Sequence, residues 1–283
     1  MRKAVIPVAG LGTRFLPATR TVPKPLLPVL NVPVIEYAVR EAANSGITDI
    51  ALVMSPGMES VADYFSPQPQ LEQALEARGQ LELLKAQREI SSLAEITTLY
   101  QEEPRGPGHA VLIAREFIGN EAFAVIFPDD VIRGETPALQ QLLDARNTYG
   151  GSVVAAMEVP DEIVEKKGII DGEPVTESVY SVKALVEKPK LADAPSNLSI
   201  VARYVLEPVV FEHLAQERSG AGGEIQLTDA IQATIGAFPV HACIFQGKHA
   251  DTGNPGGMLE AALFEASNDP ALRKLVLDAV AGW

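Results

Sequence analysis

The stretch "VAGLGTRFLPATRTVPKPLLPV", residues 8–29, directly follows the apolar run Ala4-Val5-Ile6-Pro7. Such a run reads as a buried strand, and it leaves through Gly10 and Gly12 into a loop carrying Thr13, Arg14 and Lys24. A plain strand-to-helix turn needs one glycine and no cation. Two glycines let backbone come close to a partner, and the cations make that partner anionic. The same stretch would also suit a tight turn with surface cations. Neither common phosphate fingerprint is met, because Phe15 takes the third glycine position of a dinucleotide loop and no Walker lysine follows. The end of the second strand, Val53-Met54-Ser55, also lacks the acidic residue that a dinucleotide-dependent dehydrogenase would need.

Residues 3–8, 48–54, 96–101 and 123–127 have the composition of strands. Between the first two, Pro33 opens a helix with Val34, Ile35, Ala38, Val39 and Ala42 on one face, and Gly46 stops it. This alternation predicts an α/β fold, a Rossmann-like, mostly parallel or mixed sheet flanked by helices. Ligands of such sheets sit at the carboxyl ends of the strands, where the first loop and Pro128-Asp129-Asp130 both fall. Residues 70–95, with Leu71, Leu75, Leu81 and Leu84, read as a solvated helical insertion, a lid or an oligomer contact. Strands dominate 151–205, with turns expected at Asp171-Gly172 and Pro195-Ser196-Asn197. Helices are expected at about 207–216, 224–236 and from 254 to the end. No repeat or flexible linker interrupts the pattern, so one domain over 1–283 is expected.

The 283 residues carry 23 Lys and Arg against 37 Asp and Glu, a formal net charge of −14. That balance argues against a nucleic-acid polymer as partner, since phosphate backbones call for clustered cations. A local cationic pocket for a small anion remains compatible with it. Cys243 is the only cysteine, which excludes an internal disulfide and a cysteine zinc site. The four histidines, His109, His213, His241 and His249, show no metal-ligand spacing. Apolar runs are too short to span a membrane, and residues 1–3 run straight into the first strand, so a cytoplasmic protein is expected.

Several separated blocks carry a resemblance: Gly10-Leu11-Gly12-Thr13-Arg14, Leu16-Pro17-Ala18-Thr19, Pro23-Lys24, Gly108-His109-Ala110-Val111, Pro128-Asp129-Asp130, Val186-Glu187-Lys188-Pro189, Ser196-Asn197-Leu198, Arg203-Tyr204-Val205-Leu206, "GAGGEIQLTDA" at 220–230, and Asp251-Thr252-Gly253-Asn254. In this order they resemble the sugar-1-phosphate nucleotidyltransferases over nearly the whole chain, and most closely their bacterial UTP–glucose-1-phosphate branch. The resemblance implies a nucleotidyltransferase fold, with nucleotide bound by about 1–130 and sugar by about 131–283. It implies transfer of a uridylyl group from UTP to α-D-glucose 1-phosphate, giving UDP-glucose and pyrophosphate. A sugar phosphate oxygen is already ionised at neutral pH, so this displacement needs positioning and charge neutralisation rather than a general base.

By the resemblance, Ala9, Gly10, Gly12, Thr13 and Arg14 hold the nucleotide, with Arg14 and the glycine loop on the β and γ phosphates and Lys24 neutralising the reacting groups. Gln101 and the backbone around Gly108 read the uracil edge, for which a glutamine amide can donate and accept. Gly168, Glu187, Lys188 and Asn197 bind the sugar phosphate, Glu187 accepting from hydroxyls and Lys188 meeting the phosphate. Arg14, Lys24 and Lys188 are the catalytic candidates. Asp129, at the end of "FAVIFP", and Asp251, in "HADTGN", make an oxygen-only pair suited to Mg²⁺. A helix N-cap or turn residue is the plainer reading of Asp251. Asp130 either joins the sugar-phosphate side or supports Asp129. A homo-oligomer, dimer or tetramer, is expected.

Three positions depart from that pattern. Pro25 stands where the branch usually has a glutamate, Lys167 where an aromatic usually precedes Gly168, and "SPGME" at 55–59 lacks a basic residue. They leave open a thymidylyltransferase making dTDP-glucose. A regulatory paralogue that binds nucleotide sugar without turnover is a further alternative, though the intact Arg14, Lys24, Asp129 and Asp251 argue against it.

Overall fold

The run that opens the chain becomes an interior strand of a nine-stranded sheet. The structure, a computed structural model, describes residues 1–216, 220 and 223–282. Ala221 and Gly222, inside the expected "GAGGEIQLTDA" block, lie outside the described residues. The strands are β1 (Lys3–Pro7), a short ribbon of β2 (Pro28–Val29) and β3 (Val32–Pro33), β4 (Asp49–Met54), β5 (Glu95–Tyr100), β6 (Phe123–Ile126), β7 (Asp130–Arg133), β8 (Ser152–Glu158), β9 (Gly168–Pro174), β10 (Val179–Glu187), β11 (Leu198–Leu206), β12 (Val240–Ile244) and β13 (Lys248–Asp251). The helices are α1 (Val34–Asn44), α2 (Ser60–Asp63), α3 (Pro69–Ala77), α4 (Leu81–Ser91), α5 (Pro107–Ile113), α6 (Arg115–Ile118), α7 (Ala138–Tyr149), α8 (Asp161–Val164), α9 (Val210–Leu214), α10 (Leu227–Gln232), α11 (Pro255–Asn268) and α12 (Pro270–Ala281).

The sheet order is β5-β4-β1-β6-β11-β8-β12-β10-β9. The first four strands are parallel, as expected of helix-linked strands. β11 pairs antiparallel with β6 and β8, and β10 antiparallel with β12 and β9. The sheet is therefore mixed, with β10 and β11 running against the rest. One more pairing, Ser199 opposite Ile169, joins β9 back to β11. This half of the sheet curls round on itself, and the Gly168–Glu187 end of the β9–β10 hairpin arrives beside the start of β11.

Alternating side chains fill two cores, as a pleated strand covered on both faces requires. Ala4 and Ile6 of β1 pack with Ile35, Ala38, Val39 and Ala42 of α1 on one face. Val5 packs on the other with Ala110 and Val111 of α5 and Ile231 of α10. The helix expected after Pro33 is present with its apolar face buried.

Two expectations need correction. Asp171 and Gly172 do not form a turn; they lie inside β9, opposite an irregularity in β10 between Val182 and Ala184. Turn-forming residues there mark a bulge, because Gly172 lets the Ser181 carbonyl approach to within 2.9 Å of where a Cβ would stand. The helices expected at 207–216 and 224–236 shrink to α9 and α10. The 70–95 insertion is two helices, α3 and α4, broken at Gly79, whose φ of +68° ends the first. It is tied to α1 by Arg40, which reaches both Glu36 and Glu89.

Candidate active site

The first loop leaves β1 at the centre of the parallel half, where strand order reverses between β1 and β6 and opens a crevice. Gly12 has φ +62°, a left-handed conformation that caps a single 3₁₀ turn, Thr13–Phe15. A Cβ there would lie 2.9 Å from Lys24 Cβ and 3.0 Å from Thr19 Cγ2, so only glycine lets the two arms of the loop close. Thr19 Oγ1 donates to the Gly12 carbonyl at 2.9 Å and holds that closure. Gly10 has open space around it, and Thr13 and Arg14 are exposed. Ser55, at the end of β4, donates to the Ala9 carbonyl at 3.0 Å, the role the "SPGME" segment plays here.

Lys24 turns inward. Its Nζ is 2.7 Å from Asp129 Oδ2. Asp129 lies just past β6, and its carbonyl accepts from both N–H and Oγ1 of Thr252, at 2.7 and 2.8 Å. Those bonds clamp the β6 end to the turn after β13. The β7–β13 ribbon sets Asp130 directly opposite Asp251, which brings together residues more than a hundred positions apart. Asp251 is not a helix cap: Asn254 caps α11, accepting from Gly257 N–H at 3.0 Å. Instead Asp251 Oδ1 accepts from Gly253 N–H at 2.9 Å, and Oδ2 is 3.9 Å from Lys167 Nζ.

Opposed carboxylates repel, and each here has a positive or donor partner. Asp130 is buried, and His249 Nε2 lies 2.5 Å from its Oδ1. Burial pushes Asp130 up, but the His249 hydrogen bond and the charges of Lys167, His249 and Arg203 outweigh it and hold the carboxyl below its usual range. Asp130 is thus engaged from within the protein by His249.

Asp129 and Asp251 border one small space. A Cβ on Gly253 would stand 2.7 Å from Asp251 Oδ1, 3.3 Å from Asp129 Oδ2 and 3.6 Å from Arg14 Nη1, so the glycine leaves a small space bounded by two carboxylates and a guanidinium. Among the described residues no group of three His, Cys, Asp or Glu gathers to hold a metal. The remaining ligands would be phosphate oxygens and water, which suits a hard ion.

The crevice beside this cluster has about 260 Å³ of room and is walled by Val8, Pro25, Gln101, Pro104, Gly106 and Phe127. Gln101 is buried at the end of β5, its N–H donating to the Met54 carbonyl. Its side-chain Nε2 donates to the Gly106 carbonyl at 3.1 Å and lies 3.0 Å from His109 Nδ1. The amide nitrogen thus has partners within the protein. Gly108 is buried one position inside α5, and its N–H donates to the Ile225 carbonyl at 2.8 Å. Gly106, at φ +102°, is the glycine that lines the crevice, with Ile225 too close for a side chain. Pro25 is buried in the crevice wall, so no carboxylate stands there.

The β9–β10 hairpin supplies the second half of the site. Gly168 pairs with Glu187, and a Cβ on Gly168 would lie 3.1 Å from Glu187 Oε2. Glu187 Oε1 is 3.0 Å from Lys188 Nζ. Lys188 has φ +49°, a conformation rare for a side-chain-bearing residue, and its N–H donates to the Lys167 carbonyl at 3.1 Å. Tyr204 lies buried behind both halves; burial first, then the charges of Glu187 and Asp130, push its hydroxyl up. Asn197 stands apart. It is exposed on the turn before β11, its carbonyl accepting from Val159 N–H, and among the described residues no hydrogen bond ties its side chain to Glu187 or Lys188.

The family model described as nucleotidyl transferase matches residues 3–268. The chain belongs to that family. It is 46% identical over 275 residues to a UTP–glucose-1-phosphate uridylyltransferase of Bacillus subtilis (strain 168), covering 96% of this chain and 94% of that one. Among solved structures it is similar to a UDP-glucose pyrophosphorylase complexed with UDP-glucose, at 39% identity and TM-score 0.84 over 93% of this chain and 97% of that one. It is also similar to a UTP-bound UGPase from Acinetobacter baumannii, at 36% identity and TM-score 0.88 over 98% and 99%. The nucleotidyltransferase fold expected from the opening blocks is the fold observed. As a nucleotidyltransferase site it contains residues that the sequence reading passed over. Gly106 had no signal of its own; Lys167 stood out only as a departure from the branch pattern, Thr252 and Arg203 only inside the resembling blocks, and His249 only as a lone histidine.

Proposed function

We propose that this nucleotidyltransferase transfers a uridylyl group from UTP to α-D-glucose 1-phosphate, releasing UDP-glucose and pyrophosphate. The observation that carries this reading is the convergence of Arg14, Lys24, Asp129 and Asp251 beside a base-sized crevice, with Glu187 and Lys188 brought to it by the curled hairpin. Relatives at 43–46% identity bear the uridylyltransferase name, so the thymidylyl alternative is not favoured. The reading takes the nucleotide in about 1–130 and the sugar in about 131–283 of one domain.

An ionised oxygen of the sugar phosphate attacks the α-phosphorus in line. A P–O bond forms as the bond to the bridging oxygen of the pyrophosphate breaks, and the electron pair leaves on pyrophosphate. No proton need move, which accounts for a site with cations and no nucleophile–base pair. Gly10, Gly12 and Thr13 offer backbone N–H groups to the phosphates, and Ala9 continues that wall. Arg14 and Lys24 neutralise charge on the departing and reacting groups. Gln101 presents its carbonyl oxygen to the N3–H of uracil. Mg²⁺ held by Asp129 and Asp251 would polarise phosphoryl oxygens and offset their charge.

Glu187 accepts from sugar hydroxyls while holding Lys188 in its strained position. Glu187→Gln removes a charged acceptor and weakens that hold, so it is expected to raise KM for glucose 1-phosphate by roughly tenfold, about 1.4 kcal/mol, and leave KM for UTP nearly unchanged. Weakened UTP binding with sugar affinity intact would move Glu187 to the other half of the site.

A pyrophosphate-release assay crossing ATP, GTP, CTP, UTP and dTTP with a panel of sugar 1-phosphates tests the reaction itself. UTP with glucose 1-phosphate is expected to give the largest kcat/KM. The thymine methyl is worth only about 1–3 kcal/mol, so dTTP should be the nearest competitor. A larger kcat/KM for dTTP would overturn the uridylyl assignment. No pyrophosphate from any pair would leave a binding protein without turnover.

The reading includes a cytoplasmic homo-oligomer, dimer or tetramer. Among the described residues no helix is long and apolar enough to cross a membrane. α12 buries none of its residues within the chain and exposes Leu275, Leu277 and Val280, which supports assembly.

A further inference from the structure

The fold places Lys167 between Asp251 and Lys188. The Lys167 side chain is partly buried just ahead of β9. Nζ lies 3.9 Å from Asp251 Oδ2, on the metal side, and its carbonyl accepts from Lys188 N–H at 3.1 Å, on the sugar side. Its charge also reaches Asp130, where it helps keep that carboxyl ionised. Lys24 is in hydrogen-bond contact with Asp129 at 2.7 Å, and Lys167 faces Asp251 at the longer distance of an ion pair without a hydrogen bond.

Such a pairing cannot persist unchanged once the site fills. A cation bound by Asp251 repels Lys167, whose four-carbon stem leaves the ammonium free to swing. The sugar phosphate arrives with two negative charges, and Lys188 alone meets it already shared with Glu187 at 3.0 Å. A second ammonium beside the same backbone is the group that balances it. We propose that Lys167 is a further phosphate-binding residue: its ammonium, 3.9 Å from Asp251, meets the phosphate of the sugar 1-phosphate when Asp251 takes a divalent cation. This rests on the two-substrate reading above and adds to it a binding role for Lys167.

The test uses the full chain with Lys167→Met, which keeps length and removes charge, and Lys167→Arg, which restores charge. Each substrate is varied in turn, and Mn²⁺ binding to the nucleotide-free protein is followed by EPR. Lys167→Met is expected to raise KM for the sugar 1-phosphate roughly 10- to 100-fold, with KM for UTP within about twofold. Lys167→Arg should recover most of that loss. Mn²⁺ should bind the Met variant more tightly, because the competing ammonium is gone. An unchanged KM for the sugar phosphate, or a rise confined to UTP, would overturn the binding role; unchanged Mn²⁺ affinity would overturn the pairing with Asp251. Should the Met variant not fold, Lys167→Gln is read in the same way. Failure of the functional reading shows separately, as a wild-type protein that does not couple UTP to glucose 1-phosphate. The comparison then uses whichever sugar 1-phosphate the wild type accepts, and the Mn²⁺ measurement needs no turnover.

Discussion

Lys24→Ala is expected to lower kcat by roughly 100- to 1,000-fold, about 2.7–4 kcal/mol, the cost of losing one preorganised charge at a reacting centre. The ammonium is placed for this role. It is partly buried, it lies at the end of the central parallel strands, and its loop is closed by a glycine whose geometry no other residue reproduces. Its effect on folding should be much smaller, below about 1 kcal/mol, because its partner Asp129 is more than a third exposed and water screens the pair. The asymmetry is the diagnostic feature. Single-turnover rates and thermal unfolding, measured on the same preparation, read the two quantities. Turnover within about threefold of wild type would make Lys24 a structural counterion of Asp129 and nothing more.

Arg203→Met should act in the opposite sense, first on stability and then on the site. Arg203 is 1% exposed and sits in the middle of the sheet with Glu41 of α1 at 8%. Nε and Nη2 donate to the two carboxylate oxygens at 3.0 and 2.9 Å, and Nη1 donates to the Phe127 carbonyl at 3.0 Å. Glu41 also accepts the Leu139 N–H at 3.0 Å, so the pair joins β11, α1 and α7. Removing the guanidinium leaves a buried carboxylate and a buried carbonyl without their partner, which costs about 3–5 kcal/mol. Arg203→Met with Glu41→Leu should recover much of that loss, since no charge then remains stranded. The Phe127 carbonyl stands two residues before Asp129, so the single variant should also need more Mg²⁺ for half-maximal rate. Urea unfolding and a Mg²⁺ titration check both arms. A loss below about 1 kcal/mol would mean that water reaches the pair and that the burial seen here does not hold in solution.

The parallel half of the fold was readable because its signals are local. β1, β4, β5 and β6 are short β-branched runs, and the helix between the first two has both its start and its stop in the sequence. Lys24, Arg14 and Asp129 could be placed at one end of the sheet because each follows a strand of known direction. The helical ends and the turn at Asp171-Gly172 were misjudged for a common reason. A short run such as Ile169-Ile170-Asp171-Gly172 fits a turn and a bulged strand equally well, and the partner strand decides between them. Gly106 and Gly108 could not be ranked either, since both are glycines at a helix start and only the folded chain puts Gly106 in the crevice wall while the Gly108 N–H is taken by the Ile225 carbonyl.

The chain's own pattern of apolar runs, glycines and cations determined an α/β sheet with a cation-bearing glycine loop after its first strand, because strand direction and loop flexibility are written in neighbouring residues. What tertiary structure alone decided is which distant groups meet there. Asp251 reaches Asp129 because β13 pairs with β7 in a register that sets it opposite Asp130. Glu187, Lys188 and Lys167 reach the same place because Ser199 pairs with Ile169 and bends the β9–β10 hairpin back onto β11. Pairing register is fixed by the burial of both strands' side chains at once, a property of two segments together that neither carries in its own sequence.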